Sequence, residues 1–283
     1  MPATPRFALN HMAAPRLPLE EFCALAAGLG IRAIEIRNDL NDNAILDGTP
    51  AERVREAAAR HDLKILSINA LQKFNRWDAA REKEAVALAD YAAACGAEAL
   101  VLVPANDGSG RDEDERHDNL RRALAGLAPI LRERSLIGLV EPLGFVTSSL
   151  RSKREAAETI DAVEGGDCFR LVHDTFHHHL AGEGELFAAV TGLVHISGVE
   201  DADLSAEAMR DEHRVLVGEG DRLSNARQMQ ALLAAGYGGF FSFEPFAPSV
   251  HEAADASADV EASMGFLRHA LAAGAEESAQ ERA

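Results

Sequence analysis

Short apolar runs separated by longer amphipathic stretches recur along the chain. The first four runs are Arg6-Phe7-Ala8-Leu9-Asn10, Ala33-Ile34-Glu35-Ile36-Arg37, Leu63 to Asn69, and Ala99-Leu100-Val101-Leu102-Val103. The last four are Leu136 to Glu141, Leu171 to Asp174, Leu193 to Ser197, and Gly239 to Glu244. The run at 99–103 is apolar throughout, the mark of a strand buried on both faces. Between the runs the periodicity becomes helical. Pro18 opens a helix through Phe22, Leu25 and Ala26 that stops near Gly28-Leu29-Gly30. Thr49 is placed to cap a second helix, with Pro50 in its first turn and Glu52 completing a capping box. Asp78 caps an alanine-rich helix ending at Cys95-Gly96. After a polar loop from Pro104 to Asp114, a charged helix runs to about Arg134. Further helices are expected over Ser152 to Val163, from a cap at Ser224 to Gly236, and over about Ala258 to Ala272 with Ser257 as cap.

Alternation of this kind means parallel strands joined by helical crossovers. Eight units in about 250 residues predict a closed (β/α)8 TIM barrel of the α/β class rather than an open sheet. Nothing in the middle reads as a linker, so residues 1–273 are expected to form one domain. The charged tail, 274–283, lacks apolar periodicity and is expected to be disordered.

Charge narrows the range of partners. The chain has 283 residues and a net charge of −18, which opposes a nucleic-acid-backbone reader and favours a small neutral ligand. Cys23, Cys95 and Cys168 form no CxxC pair, so a reducing compartment is the default. No apolar run is long enough to span a membrane, and the N-terminus has no signal-peptide core. A cytoplasmic protein without a membrane partner is expected; monomer and homo-oligomer both stay open.

Candidate chemistry sits where the runs end. Four of them finish in or beside a ligand-type residue: Glu141, Asp174, His195 and Glu244. Carboxylate and imidazole suit a divalent ion, and zinc, manganese, cobalt and magnesium are not told apart by this set. Each residue alone reads equally well as a polar group where a strand meets solvent. Four at consecutive strand ends point to one centre, because barrel chemistry gathers at the C-terminal ends of the strands. His173 is turned to the opposite face by strand alternation. His178 and His179 read as packing or solvent residues. Asn10 and His11 end the first strand, as pocket lining or as loop hydrogen-bond partners, and Glu35 is placed near the rim. Gly218-Glu219-Gly220-Asp221 lacks the lysine of a phosphate loop. Gly236-Tyr237-Gly238-Gly239 follows a helix rather than a strand, unlike a dinucleotide fingerprint.

The sequence resembles the xylose-isomerase-like barrels, which include ketose 3-epimerases, hydroxypyruvate isomerase and inosose isomerases. The resemblance covers nearly the whole chain. It rests on Val140-Glu141-Pro142, His173-Asp174-Thr175-Phe176-His177, Val194-His195-Ile196, Arg214 with Gly218-Glu219-Gly220, and Phe243-Glu244-Pro245. The inosose (2-keto-myo-inositol) isomerase branch of inositol catabolism matches best. That match is carried by Ala8-Leu9-Asn10-His11-Met12, Glu35-Ile36-Arg37-Asn38-Asp39 and Glu141-Pro142-Leu143-Gly144-Phe145.

The resemblance implies that Glu141, Asp174, His195 and Glu244 hold one divalent metal, and that His177 and Arg214 hold substrate oxygens. It makes Glu141 and Glu244 the acid/base pair of a proton transfer through an enediolate. Trp77, in the loop after the third strand, is then either an aromatic lid over the sugar or a helix-packing residue. The expected activity is isomerisation or epimerisation of a keto-sugar or keto-cyclitol, inosose first, with a ketose 3-epimerase or hydroxypyruvate isomerase as alternatives. An AP-endonuclease-type DNA repair enzyme is disfavoured. Asp211-Glu212-His213 would suit it, but Asn69 and Pro104-Ala105 stand where it needs histidines. Asp211 and His213 are read instead as ordering the loop that presents Arg214. A catalytically dead sugar-binding protein is disfavoured because both acid/base carboxylates are present.

Overall fold

The computed structural model describes residues 4–40, 45 and 48–280; the last three residues of the expected tail lie outside this range. The eight runs form eight parallel strands in sequential order: β1 (Arg6–Asn10), β2 (Ala33–Arg37), β3 (Lys64–Gln72), β4 (Ala99–Val103), β5 (Ile137–Val140), β6 (Phe169–Asp174), β7 (Thr191–Ile196) and β8 (Phe240–Phe243). The barrel closes where β8 pairs with β1, Phe7 opposite Phe241 and Leu9 opposite Phe243. Among the described residues nine α-helices surround it: α1 (Leu19–Gly28), α2 (Ala51–Arg60), α3 (Ala79–Cys95), α4 (Glu113–Glu133), α5 (Lys153–Ala162), α6 (Thr175–Ala181), α7 (Asn225–Ala234), α8 (Pro248–His251) and α9 (Ala256–Gln280).

Strand alternation sets the two-layer content of the barrel. A dry layer of Ala8, Ala33, Val101, Leu139, Val172 and Leu193 packs together in the interior. Two residues further along, the same inward faces carry Asn10, Glu35, Glu141, Asp174 and His195, all buried. The outward faces, with Leu9, Ile34, Ile68, Phe241 and Phe243, join the helices in a separate apolar cluster. Each fully buried Leu, Ile or Phe there contributes roughly 1.5–3 kcal/mol.

Several local expectations hold. Asp78 accepts from the Arg81 amide at 2.8 Å, Ser152 from the Glu155 amide at 3.2 Å, and Gly96 ends α3 at φ 80°. Others are corrected. Pro50 takes the N-cap position of α2, so Thr49 falls one residue too early and no side-chain cap forms. Ser224 stands at the N-cap of α7 with φ 58° and makes no cap bond; the Asp221 carboxylate accepts from the Asn225 amide instead, at 2.8 Å. Ser257 lies inside the first turn of α9, and Asp255 accepts from the Ala258 amide at 3.0 Å. This last helix runs on to Gln280, beyond the expected end at Ala272. No helix among the described residues is long and apolar enough to cross a membrane. All three cysteines are buried and free.

Candidate metal centre

Asp174 is the last residue of β6, and His195 the last but one of β7. Glu141 and Glu244 directly follow β5 and β8. The barrel's curvature brings them together: one ligand atom from each lies within 4.8 Å of all the others, and all four residues are buried. His195 Nδ1 is 2.8 Å from Glu141 Oε1, 3.2 Å from Glu244 Oε2 and 4.0 Å from Asp174 Oδ2.

Two arginines brace the quartet. Arg214 Nη2 donates to Asp174 Oδ2 at 2.6 Å and to Glu244 Oε2 at 3.2 Å, and its Nε donates to Ser197 Oγ at 2.9 Å. Its guanidinium lies over the rings of Phe176 and Phe246. Arg37 Nη1 donates to Glu244 Oε1 at 2.8 Å, while its Nε and Nη2 grip Asp39, each at 2.7 Å. Asn10 Nδ2 donates to Glu244 Oε1 at 3.2 Å.

The electrostatics are asymmetric. Burial pushes the Glu141 carboxyl up against the pull of His195, and the neighbouring Glu244 and Asp174 add to the rise. Burial works the same way on Glu244, but His195, Arg214 and Arg37 outweigh it and hold that carboxyl well below the usual range. For His195, burial is outweighed by Glu244, Glu35 and Glu141, and the imidazole rises well above its ordinary value. Glu35, Glu141, Asp174 and Glu244 face Arg37 and Arg214 across this buried region. With His195 protonated one negative charge is left in excess, and two once a cation displaces that proton; an unbalanced buried charge is costly. A divalent cation at the quartet balances them. Donor chemistry, convergence and charge all fit such an ion.

A cavity of about 290 Å³ opens above the quartet. Glu141, Glu244, Arg214 and His177 line it, with Phe145 and Phe246 as aromatic walls. His177 arrives on α6, a helix the sequence pattern does not reveal because it is two turns long and carries three consecutive histidines. Asp174 Oδ1 starts that helix by accepting from the Phe176 and His177 amides at 2.8 and 2.9 Å. The His177 Nδ1 atom is buried without a hydrogen-bond partner.

Of the remaining candidates, some stand where the sequence placed them and others do not. His11 begins a tight 3-10 turn that folds it back into the core, where it stacks on Phe22 at 4.0 Å and bonds to the Leu17 carbonyl at 2.9 Å. It is absent from the cavity lining. Trp77 packs on α4, its indole filling the space where a Cβ on Gly126 would sit, so it is a helix-packing residue and not a lid. Glu35, expected near the rim, is fully buried on the inner face of β2. His173 faces away from the quartet, 3.0 Å from Lys153 Nζ and 2.8 Å from Gln228 Oε1. His178 meets the same lysine at 2.8 Å. Asp211 Oδ1 supports Arg214 Nη1 at 3.3 Å. Arg37 and Asp39 line the cavity although sequence reasoning gave neither a role; the charged end of an apolar strand was the available signal.

The family profile described as xylose isomerase-like TIM barrel matches residues 23–270. A xylose isomerase domain containing protein from Salmonella typhimurium LT2 is 34% identical, over 96% of this chain and 99% of that one, with a TM-score of 0.85. An IolI protein solved with a bound zinc atom is 21% identical over 94% of this chain and 98% of its own, with a TM-score of 0.82. An L-ribulose 3-epimerase is 17% identical over 99% and 98%, with a TM-score of 0.73. No curated protein matches the sequence.

Proposed function

Since the chain belongs to the xylose isomerase-like TIM barrel family, we propose that it is a metal-dependent isomerase or epimerase of an uncharged keto-sugar or keto-cyclitol, with inosose as the leading substrate. The observation that carries this reading is the convergence of Glu141, Asp174, His195 and Glu244, with Glu141 and Glu244 also lining the cavity. A divalent cation held there would polarise the substrate carbonyl and make the neighbouring C–H more acidic.

The side chains supply the rest. Glu141 and Glu244 both stand beside His195 Nδ1, at 2.8 and 3.2 Å, and line the cavity. One takes the proton from the carbon beside the carbonyl, and the electron pair moves onto oxygen as an enediolate. Return of a proton to the former carbonyl carbon, with the neighbouring hydroxyl proton passing to the other oxygen, gives isomerisation; return of a proton to the opposite face of the original carbon gives epimerisation. Arg37 and Arg214 keep Glu244 ionised and fixed. His177 and Arg214 direct N–H groups at substrate oxygens. Phe145 and Phe246 offer apolar faces to a ring and exclude water.

The cavity favours a neutral substrate. Its lining cations already have carboxylate partners: Arg37 has Asp39 and Glu244, Lys73 has Asp107, and Arg214 has Asp174 and Glu244. A carboxylate such as hydroxypyruvate, or a phosphorylated sugar, would have to break one of these pairs. Incubation of the zinc- or manganese-loaded protein with inosose, free ketohexoses and hydroxypyruvate in deuterated water tests the reading. Deuterium should enter at carbon in a neutral keto-polyol; exchange in none of these substrates overturns the proposal.

A further inference from the structure

Of the four buried carboxylates among the described residues, Glu35 alone stands outside the quartet. It is held from both sides. Oε2 accepts from Ser67 Oγ at 2.6 Å and from Asn69 Nδ2 at 2.8 Å. Oε1 accepts from Ser242 Oγ at 2.5 Å and from Asn10 Nδ2 at 3.3 Å. Its remaining contact is His195 Nε2, at 3.2 Å from Oε2.

We propose that Glu35 is a positioning residue: by accepting the Nε2–H of His195 it makes Nδ1 the nitrogen offered to a cation at the quartet. A neutral imidazole carries one proton, and the partner of one nitrogen decides which of the two keeps it. Four donors from β1, β3 and β8 fix the Glu35 carboxylate, and the carboxylate fixes the ring. Nδ1 then points at Glu141 and Glu244 with its lone pair bare. That arrangement is repulsive unless a positive charge lies between them, which is what a ligating histidine requires. Metal-bound histidines commonly donate their second N–H to such a carboxylate, and removing it typically weakens metal binding on the order of 10–100-fold. The inference rests on the quartet holding a cation.

Two measurements decide it. Glu35→Gln keeps the shape of the side chain but places an amide N–H₂ within reach of His195 or the four donors. Zinc affinity of this variant, measured by chelator competition against the parent, should fall on the order of 10–100-fold. An affinity within twofold of the parent overturns the proposal. The second measurement needs no variant: nitrogen-15 NMR of the zinc-loaded parent should show His195 protonated at Nε2 and metal-bound through Nδ1. A spectrum with the two nitrogens exchanged overturns the proposal while leaving the metal site intact. A parent that binds no zinc removes the metal site itself, and this inference with it.

Discussion

Asp174 Oδ2 lies 2.6 Å from Arg214 Nη2, while the other oxygen of the same carboxylate caps the helix that carries His177. One side chain thus joins the quartet, an arginine bracing it and the placement of α6. Asp174→Asn keeps a capping oxygen and loses the charge. Zinc affinity should drop at least tenfold, and thermal stability in chelator should fall as well, because the new amide N–H₂ then faces the buried Arg214 guanidinium. Asp174→Ala should lose the same affinity and, in addition, about 1 kcal/mol of stability from the cap. Equal zinc affinity in parent and Asn variant would remove Asp174 from the site.

The pH dependence of metal loading follows from His195. Its imidazole is raised well above the ordinary value: burial is outweighed by Glu244, Glu35 and Glu141. In the metal-free protein it therefore contributes stability that is fully present below the unfolded value of about 6.5 and is lost as pH rises through the higher native value. Zinc must displace that proton. Zinc affinity should rise with pH above about 6.5, by up to roughly tenfold per unit, while the melting temperature of the metal-free protein falls. Chelator competition and thermal scans across that range check both directions. A pH-independent affinity would contradict the placement of His195.

Acid sensitivity has a separate origin in His11. Burial depresses its pKa to about 4; Arg37 adds to this, and the bond to the Leu17 carbonyl opposes it. The native state thus binds fewer protons than the unfolded chain. Stability is complete above about pH 6.5 and declines as pH falls towards 4, by up to roughly 3 kcal/mol. His11→Phe keeps a ring against Phe22 and cannot titrate. Urea unfolding at pH 7 and pH 4.5 should show a smaller acid loss in this variant than in the parent.

Gly144 sits where α6 approaches the loop after β5. A Cβ there would stand 2.4 Å from the His177 carbonyl oxygen and 2.6 Å from Leu180 Cβ. Gly144→Ala should push α6 outward and cost about 1–3 kcal/mol, as overpacking does. Turnover should fall with it, since His177 moves with the helix, while zinc affinity should change less. Thermal unfolding and solvent deuterium exchange separate the two effects.

The barrel was legible because its strands are apolar runs and its quartet stands where those runs end. Hydrophobic periodicity carries that information directly, and Glu141, Asp174, His195 and Glu244 fall at strand ends as the spacing predicts. Details set by short polar segments were not legible. α6 has too few apolar positions to show a period. His11 is turned inward by a 3-10 turn that no sequence pattern marks. Trp77 has its place because Gly126 leaves a gap on a helix about 50 residues away. Glu35 was misread for a different reason: Ile36 and Arg37 follow it, so it ends no run. Its burial depends on donors from strands distant in sequence. Caps failed where proline or an alternative carboxylate competed, as at Thr49 and Ser224.

Metal content of the purified protein tests the central claim most directly. After incubation with a slight excess of zinc and extensive dialysis, elemental analysis should find about one ion per chain, as one ligand set implies. Removal of that ion by chelation should abolish deuterium exchange into the substrate, and replacing it should restore exchange. A metal-free protein that still exchanges deuterium at full rate would contradict the account.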